Sequence, residues 1–508
     1  MKKRLATMFI MLLSLVLIFA GCGSNDTSKS DEAKTKDKDK DKTEVTSGAS
    51  KTSYTDSSKL KDTYDIVIIG AGGAGMSAAL EAKAKGLNPV ILEKMPLAGG
   101  NTMKASSGMN ASETKFQKEQ GINDSNDKFY EETLKGGHGT NDKEMLRFFV
   151  DNSASAIDWL DSMDIKLNNL TITGGMSEKR THRPEDGSAV GKYLVDGLLK
   201  NVQEEKIPVF VNADVKEITQ KDGKVTGVKV KLNNKDEKTI SSDAVVVTTG
   251  GYGANKDMIE KERPDLKGYV TTNQEGSTGD GIKMIEKLGG TTVDMDQIQV
   301  HPTVQQEKSY LIGEAVRGEG AILVSQDGKR FGNELDTRDN VTASINKLPE
   351  KSAYLVFDAG VKDRVKAIAQ YDEMGFVEEG KTIDELASKI NVPKEELTKT
   401  IDTWNTSVKN KKDEAYGRTT AMDNDLSKAP YYAIKIGPGI HYTMGGVKIN
   451  TNTEVLDKDG KPITGLFAAG EVTGGLHGEN RIGGNSVAEI IIFGRQAGDK
   501  SAEFVKAQ

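Results

Sequence analysis

The chain has 508 residues, 29% of them charged, with a formal net charge of −7 and a single cysteine. Such a length exceeds one domain and buries a large core. The acidic balance removes the basic face that nucleic-acid binding needs, and one cysteine excludes an internal disulfide and any CxxCH haem-attachment motif within the sequence. The 54 glycines gather in motifs and form no repeat, which suits a nucleotide-binding enzyme and not a fibrous chain.

The first segment reads as a targeting sequence. Lys2, Lys3 and Arg4 make a charged start, and residues 8–20 form an apolar run too short to span a membrane comfortably. The run ends Phe19-Ala20-Gly21-Cys22, which resembles a bacterial lipoprotein signal, with Phe19 where such signals usually carry Leu. That resemblance implies removal of residues 1–21, lipidation of Cys22, and anchoring on the outer face of the cell membrane. Residues 22–62 are polar, with Lys and Asp nearly alternating over residues 34–42, and read as a solvated tether. Within it, Glu44-Val45-Thr46-Ser47-Gly48-Ala49-Ser50 is similar to the recognition sequence for covalent FMN transfer. The similarity implies Ser50 as the acceptor, with Glu44 standing where an Asp is usual.

A buried parallel strand is predicted at Tyr64-Asp65-Ile66-Val67-Ile68-Ile69, because the run is short, apolar and β-branched. Gly70-Ala71-Gly72-Gly73-Ala74-Gly75 follows at once. A helix is expected over residues 76–85, ended by Gly86. Val90-Ile91-Leu92 reads as the next strand, with Glu93 at its end. Strand, glycine turn, helix, strand and acid make a dinucleotide-binding fingerprint. Gly70, Gly72, Ala74 and Gly75 would admit a pyrophosphate to the helix N-terminus, and Glu93 would accept hydrogen bonds from the ribose.

Further motifs follow in chain order. They are Ala98-Gly99-Gly100-Asn101-Thr102, Ala105-Ser106-Ser107-Gly108-Met109-Asn110, Asn212-Ala213-Asp214-Val215, the strand-like 244–247 ending in Gly250-Gly251, and Thr278-Gly279-Asp280-Gly281. Gln299-Val300-His301-Pro302-Thr303, Gly313-Glu314-Ala315-Val316-Arg317, Asp336-Thr337-Arg338-Asp339, and Gly439-Ile440-His441-Tyr442-Thr443 come next. The last are Ala469-Gly470-Glu471 and Glu479-Asn480-Arg481-Ile482-Gly483-Gly484, followed by Ser486-Val487. Glycines on both sides of Arg481 let the backbone approach a ligand, and a guanidinium there offers a planar fork of donors to a carboxylate.

Taken together these motifs resemble the fumarate reductase/flavocytochrome c flavoprotein family over about residues 63–508. The resemblance implies an α/β fold, a Rossmann-like FAD-binding domain (residues 63–295 and 441–508) with an inserted α+β capping domain (residues 296–440). FAD would be non-covalent, since the usual attachment histidine has no counterpart near Thr102-Met103-Lys104. Its implied contacts are Gly70, Gly72, Ala74, Gly75, Glu93, Asn101, Thr102, Ser107, Gly108, Val215, Asp280, Tyr442, Glu471, Ser486 and Val487.

For the substrate, the resemblance implies Arg481 and His441 at one end and His301 at the other, with Gly108, Gly313 and Gly484 close by. Arg338 corresponds to the family's proton donor, and Glu314 and Arg317 to its relay. No metal is expected. The implied reaction is reduction of an α,β-unsaturated carboxylate, with fumarate the first candidate because His301 is kept. Gly313 stands where a threonine usually helps bind the distal carboxylate; its loss is expected to open space, which brings in urocanate, methacrylate, itaconate and cinnamate. A membrane quinol or exported flavin chain is the expected electron donor. A flavin electron-carrier lipoprotein would not need Arg338, Glu314 and Arg317 together.

Residues 382–409 carry apolar positions at helical spacing and read as one solvated helix of the cap. Trp159 and Trp404 read as core.

Overall fold

The computed structural model describes residues 54–508. The expected lipidation and FMN sites, Cys22 and Ser50, lie outside the described residues. The β-branched run becomes the strand Thr63–Ile69, buried over its last four residues. It pairs in parallel on both sides, so that Ile68 faces Ile91 of Pro89–Leu92 and Val246 of Asp236–Val247. Pro462–Ala468 joins the far side of Asp236–Val247, also in parallel, with Phe467 opposite Val246. The rest of this eight-stranded sheet is the antiparallel group Ala213–Lys221, Lys224–Leu232 and Glu454–Leu456, with Val209–Phe210 at the opposite edge. A mixed sheet of this kind, with helices packed on it, is the α/β architecture expected.

The first helix runs Gly73–Ala84, beginning three residues before the predicted start. The glycine motif itself forms its first turn, with Gly72 as N-cap. A Cβ at Gly75 would lie 2.0 Å from the Gly70 carbonyl oxygen, so only glycine lets the turn fold back on the strand end. The last helix, Asn485–Lys506, packs along the first through two more glycines. A Cβ at Gly494 would be 2.7 Å from the Ala74 carbonyl oxygen, and one at Gly498 2.3 Å from that of Ala78.

A second, seven-stranded sheet has the order Tyr310–Leu311, Ile298–Gln305, Tyr431–Thr443, Ala353–Asp358, Ile322–Val324, with Val270–Thr271 and Val377–Gly380 also paired to Tyr431–Thr443. It builds a separate hydrophobic cluster around Ile312, Leu355, Phe357, Trp404 and Ile434. Ile298 and Ile440 belong to the cluster of the first sheet. The antiparallel pair Ile298–Gln305 and Tyr431–Thr443 therefore runs from one core into the other, carrying His301 opposite Gly439 and Gln299 opposite Tyr442.

Residues 382–409 are not one helix. Ile383–Lys389 and Lys394–Asn410 are separate. Asn391 between them is left-handed (φ +53°) and Pro393 caps the second; the residue before a proline resists the helical conformation. Leu386, Leu397, Ile401 and Trp404 are buried, so these helices are half core. Trp404 lies between the guanidinium groups of Arg330 and Arg418, 4.6 and 4.7 Å from its ring. Trp159 is partly buried against the first core.

Candidate active site

At the carboxyl ends of Thr63–Ile69 and Pro89–Leu92 the chain leaves a cavity lined by Gly70, Glu93, Lys94, Asp214, Val215, Thr249 and Asp280. The structure thus brings together four of the predicted residues, Gly70, Glu93, Val215 and Asp280. Glu93 accepts the Ala71 and Met95 backbone N–H groups, both at 2.8 Å, and fixes the glycine turn against the second strand. Asp280 is paired with Lys94 at 2.6 Å and accepts the Thr278 hydroxyl at 2.9 Å. Lys94 was not singled out from the sequence, although it adjoins Glu93. The Thr249 hydroxyl is buried with no partner among the described residues.

Along the glycine turn, Thr102 Oγ1 accepts the Gly73 N–H at 3.1 Å. Asn101 donates to Asn273 at 2.6 Å and to Glu471 at 3.2 Å, and accepts the Gln274 N–H at 2.8 Å. Glu471 also accepts the Thr443 N–H at 3.1 Å; burial pushes its carboxyl up to about 7. Ser107 accepts the Val190 N–H through its carbonyl. Ser486 and Val487 occupy the first turn of the last helix, where backbone N–H groups lack intrahelical acceptors. Ala74 is buried inside the first helix. Gly484, left-handed at φ +86°, rests on Asn110, whose amide donates to Gly483 O and Asn485 Oδ1 at 2.7 Å each. Asn110 closes this turn, a role its motif did not reveal.

The second cluster is built on charge. Arg481 is 2% exposed, stacks 4.3 Å over the Tyr442 ring, and donates only to the Ile482 carbonyl, at 3.1 Å. Its Nε has no partner, and among the described residues it forms no ion pair. Burial, then the nearby Arg338, lowers it to about 10, still protonated at neutral pH. The Tyr442 hydroxyl donates to Glu489, which His477 Nε2 also approaches at 3.0 Å.

His301 and His441 stand edge to face, 5.1 Å between ring centres. Burial first, and then the charge of Arg338, holds both well below the usual imidazole range, so both are neutral. Nδ1 of His301 accepts the Thr303 N–H at 3.2 Å, which leaves the ring proton on Nε2. Nδ1 of His441 meets the Thr272 hydroxyl at 2.8 Å.

Arg338 opens the helix Arg338–Asn346 and is 6% exposed. Its Nε donates to Glu314 Oε1 at 2.8 Å and its Nη1 to Gln299 Oε1 at 2.9 Å. Its Nη2 has no hydrogen bond among the described residues. Glu314 further accepts Arg317 Nη2 at 3.3 Å and the Thr173 hydroxyl at 2.6 Å. Burial alone would raise the Glu314 carboxyl, but the Arg338 and Arg317 charges outweigh it and hold the carboxyl well below the carboxylate range. Burial lowers Arg317, whose Nη1 donates to the Glu334 carbonyl at 2.6 Å. Arg338 and Arg317 thus flank the one Glu314 carboxylate, with Arg481 nearby.

Gln299 ties the two arginines together, since its amide nitrogen donates to the Arg481 carbonyl at 2.6 Å and to Asn480 at 3.0 Å. Gln299 and Thr173 were not among the residues given roles from the sequence. Gln299 could have been: it is two residues before His301 on one strand, and that period puts both on one face. Gly108 must be glycine, because a Cβ there would lie 2.3 Å from the His182 carbonyl. The space expected at Gly313 is not open. A Cβ there would be 3.0 Å from Ser106 Oγ and 3.5 Å from the Tyr371 hydroxyl, which fill the place of a larger side chain.

Comparison with known proteins bears on both clusters. The family model described as "FAD binding domain" matches residues 65–487. A protein of Klebsiella pneumoniae named NADH:fumarate oxidoreductase is 51% identical over 440 residues, 87% of this chain and 48% of its own length; the chain spans about half of that relative. A urocanate reductase of Eggerthella lenta is 32% identical over 86% of this chain and 74% of its own. The open conformation of a flavocytochrome c3 fumarate reductase aligns with a TM-score of 0.73 at 40% identity, covering 88% of this chain and 79% of its own.

The residues present fit FAD. The turn at Gly70 and Gly75 has no room for a Cβ, the last helix offers free N–H groups in its first turn, and the buried Thr249 hydroxyl by Glu93 lacks a partner. Gly70, Gly72, Glu93 and Val215 would hold the adenosine and pyrophosphate end. Asn101, Thr102, Glu471, Ser486 and Val487 would follow toward the ring.

Proposed function

The chain belongs to the fumarate reductase/flavocytochrome c family of FAD-binding oxidoreductases, and from that premise we propose that it reduces the carbon–carbon double bond of a small α,β-unsaturated carboxylate, with fumarate the first candidate. The observation that carries this reading is Arg481, a buried guanidinium whose Nε has no partner and which forms no ion pair among the described residues. An uncompensated buried charge is costly, and a substrate carboxylate between Arg481 and His441 compensates it.

FAD, when bound and reduced by the electron donor, would supply the hydride that the β-carbon of the alkene takes. The chain's own groups do the rest. Arg481 and His441 hold the carboxylate and stabilise negative charge that develops beside it. His301 donates from Nε2 at the far end. Arg338 gives a proton to the α-carbon from Nη2, the one nitrogen left free by Glu314 and Gln299. Arg338 is then reprotonated through the Glu314 carboxylate, which takes a proton from Arg317 Nη2 and passes it on, and Arg317 recovers its proton from solvent. A hydride and a proton added across the double bond give the saturated carboxylate. Arg481, His301, Arg338, Glu314 and Arg317 are buried and His441 is half-buried, which keeps water from the hydride.

The amino-terminal reading belongs to the same proposal. Lys2 to Arg4, the short apolar run and Cys22 support a lipid-anchored protein on the outer face of a bacterial membrane. The motif ending at Ser50 supports a tethered FMN that takes electrons from a membrane quinol or flavin chain. A urocanate reductase among the relatives supports a second candidate set of other enoates.

Anaerobic oxidation of reduced viologen by the purified protein tests the reading against fumarate, urocanate, methacrylate, itaconate and cinnamate. Turnover with fumarate far above the rest is expected. Preference for another of the five moves the substrate and keeps the chemistry. No turnover with any, in protein loaded with FAD, sinks the reductase and leaves an electron carrier.

A further inference from the structure

What fills the place beside Gly313 has a chemistry of its own. Tyr371, from the helix Ala367–Glu373, is 2% exposed, and its hydroxyl oxygen accepts the Gly313 N–H at 3.1 Å. The hydroxyl proton has no acceptor among the described residues. Burial pushes this phenol up to about 12, so it keeps that proton at neutral pH. The Ser106 hydroxyl, also beside Gly313, likewise has no partner among the described residues. His301 lies at the same end, because Thr303, whose N–H it accepts, bonds Ile312 through both hydroxyl and backbone.

Arg183, the last residue of the strand Thr181–Arg183, is also 2% exposed. Its Nε and Nη2 are buried without partners, and it forms no ion pair among the described residues. The polar groups that act on it are Glu319, Tyr371 and Asp186. Glu319 is already paired with Arg364 at 3.0 Å. Gly108 lets this strand lie against the segment that carries Ser106, since a Cβ there would be 2.8 Å from Arg183 Cγ. Among the described residues there is therefore a second buried guanidinium without an ion pair, close to two hydroxyls with unused protons. That is a costly arrangement in the absence of an acceptor.

We infer that Arg183, Tyr371 and Ser106 form the distal subsite of the substrate pocket, and that it takes a second carboxylate at the end of the substrate remote from Arg481. The inference rests on the enoate-reductase reading of the same site. Tyr371 and Ser106 donate hydroxyl hydrogens to the distal carboxylate and Arg183 supplies the charge. The hydroxyl of the missing threonine is thus replaced from other segments. A dicarboxylate is held at both ends, whereas a monocarboxylate leaves Arg183 uncompensated.

The test compares a dicarboxylate with a monocarboxylate in the FAD-loaded protein. Succinate and propionate binding is followed by flavin absorbance and calorimetry, and turnover is measured with fumarate and acrylate. In Arg183→Gln and in Tyr371→Phe, the preference for the dicarboxylate is expected to fall about tenfold, in KM and not in kcat. Arg183→Lys is expected to recover part of it. An unaltered preference in both variants overturns the subsite. A wild type that reduces no enoate removes the reductase reading, and the succinate-to-propionate binding ratio still decides the subsite. If Arg183→Gln fails to load FAD, Tyr371→Phe and Ser106→Ala carry the same comparison.

Discussion

A Cβ at Gly483 would stand 2.1 Å from Oε2 of Glu314. The backbone of the loop that presents Arg481 therefore lies directly on the carboxylate that holds Arg338. The same Cβ would be 2.6 Å from Thr173 Oγ1 and 2.9 Å from Arg338 Nη2. Gly483→Ala must displace one of these groups. We expect kcat to fall by roughly a hundredfold, the effect of displacing a reacting group by about 1 Å, while flavin absorbance shows FAD retained. Viologen-linked turnover checks it, and near-normal kcat would contradict the geometry.

Gln299 is the brace between the proton donor and the carboxylate clamp. Gln299→Leu keeps the size and leaves Arg338 Nη1, the Arg481 carbonyl and Asn480 without their partner. A buried group left unsatisfied costs about 1–3 kcal/mol, so kcat/KM should fall roughly ten- to a hundredfold. The loss should appear in both kcat and KM, because the brace serves both arginines. Steady-state kinetics distinguish this from a loss in KM alone.

Glu471 makes the FAD-free protein sensitive to alkali. Burial holds its carboxyl at about 7 in the fold, against an ordinary value of 4.5. Below 4.5 both folded and unfolded chains carry the proton, and nothing is lost. As pH rises from 4.5 through 7 the unfolded chain ionises first, so stability falls, by about 3 kcal/mol in all. Denaturant titrations at pH 5 and pH 8 should show that loss in the wild type and not in Glu471→Gln. Equal slopes in the two proteins would refute it.

Tyr442 serves Arg481 with its ring and Glu489 with its hydroxyl. Tyr442→Phe should cost about 1 kcal/mol of stability, read as a lower Tm. Tyr442→Leu should also raise KM several-fold, since a cation–π contact of about 0.5–2 kcal/mol is lost. A KM that rises equally in both variants would mean that the ring does not support the guanidinium.

The parts of this molecule that were legible in its sequence are those written within a few residues. The strand Thr63–Ile69, the glycine turn and Glu93 are local, because periodicity and glycine act over short spans. Arg338, Glu314, Arg317, His301, His441 and Arg481 each stand in a short motif, and the structure gathers them around one point. What stayed hidden is made by contacts between distant segments. Gln299 joins segments far apart in the chain, Thr173 reaches Glu314 from the loop after Asn169–Thr171, and Arg183 and Tyr371 belong to no motif. The start of the first helix was misplaced because glycines argue against a helix where only propensity is weighed; here close packing overrides it. Asn391 and Pro393 divide residues 382–409 into two helices, a break that apolar spacing alone does not show.

The seam of glycines between the first and last helices has a consequence for the order of assembly. Ala74 and Gly494, in contact there, lie near opposite ends of the described residues. A chain still leaving the ribosome can make the strand and turn around Gly70, yet has nothing to cover that helix until residues 485–506 emerge. The flavin cradle is thus completed only when that distant segment has been made. A transcript cut short within residues 485–506 yields a protein with every acid–base group in its sequence and no closed place to use them.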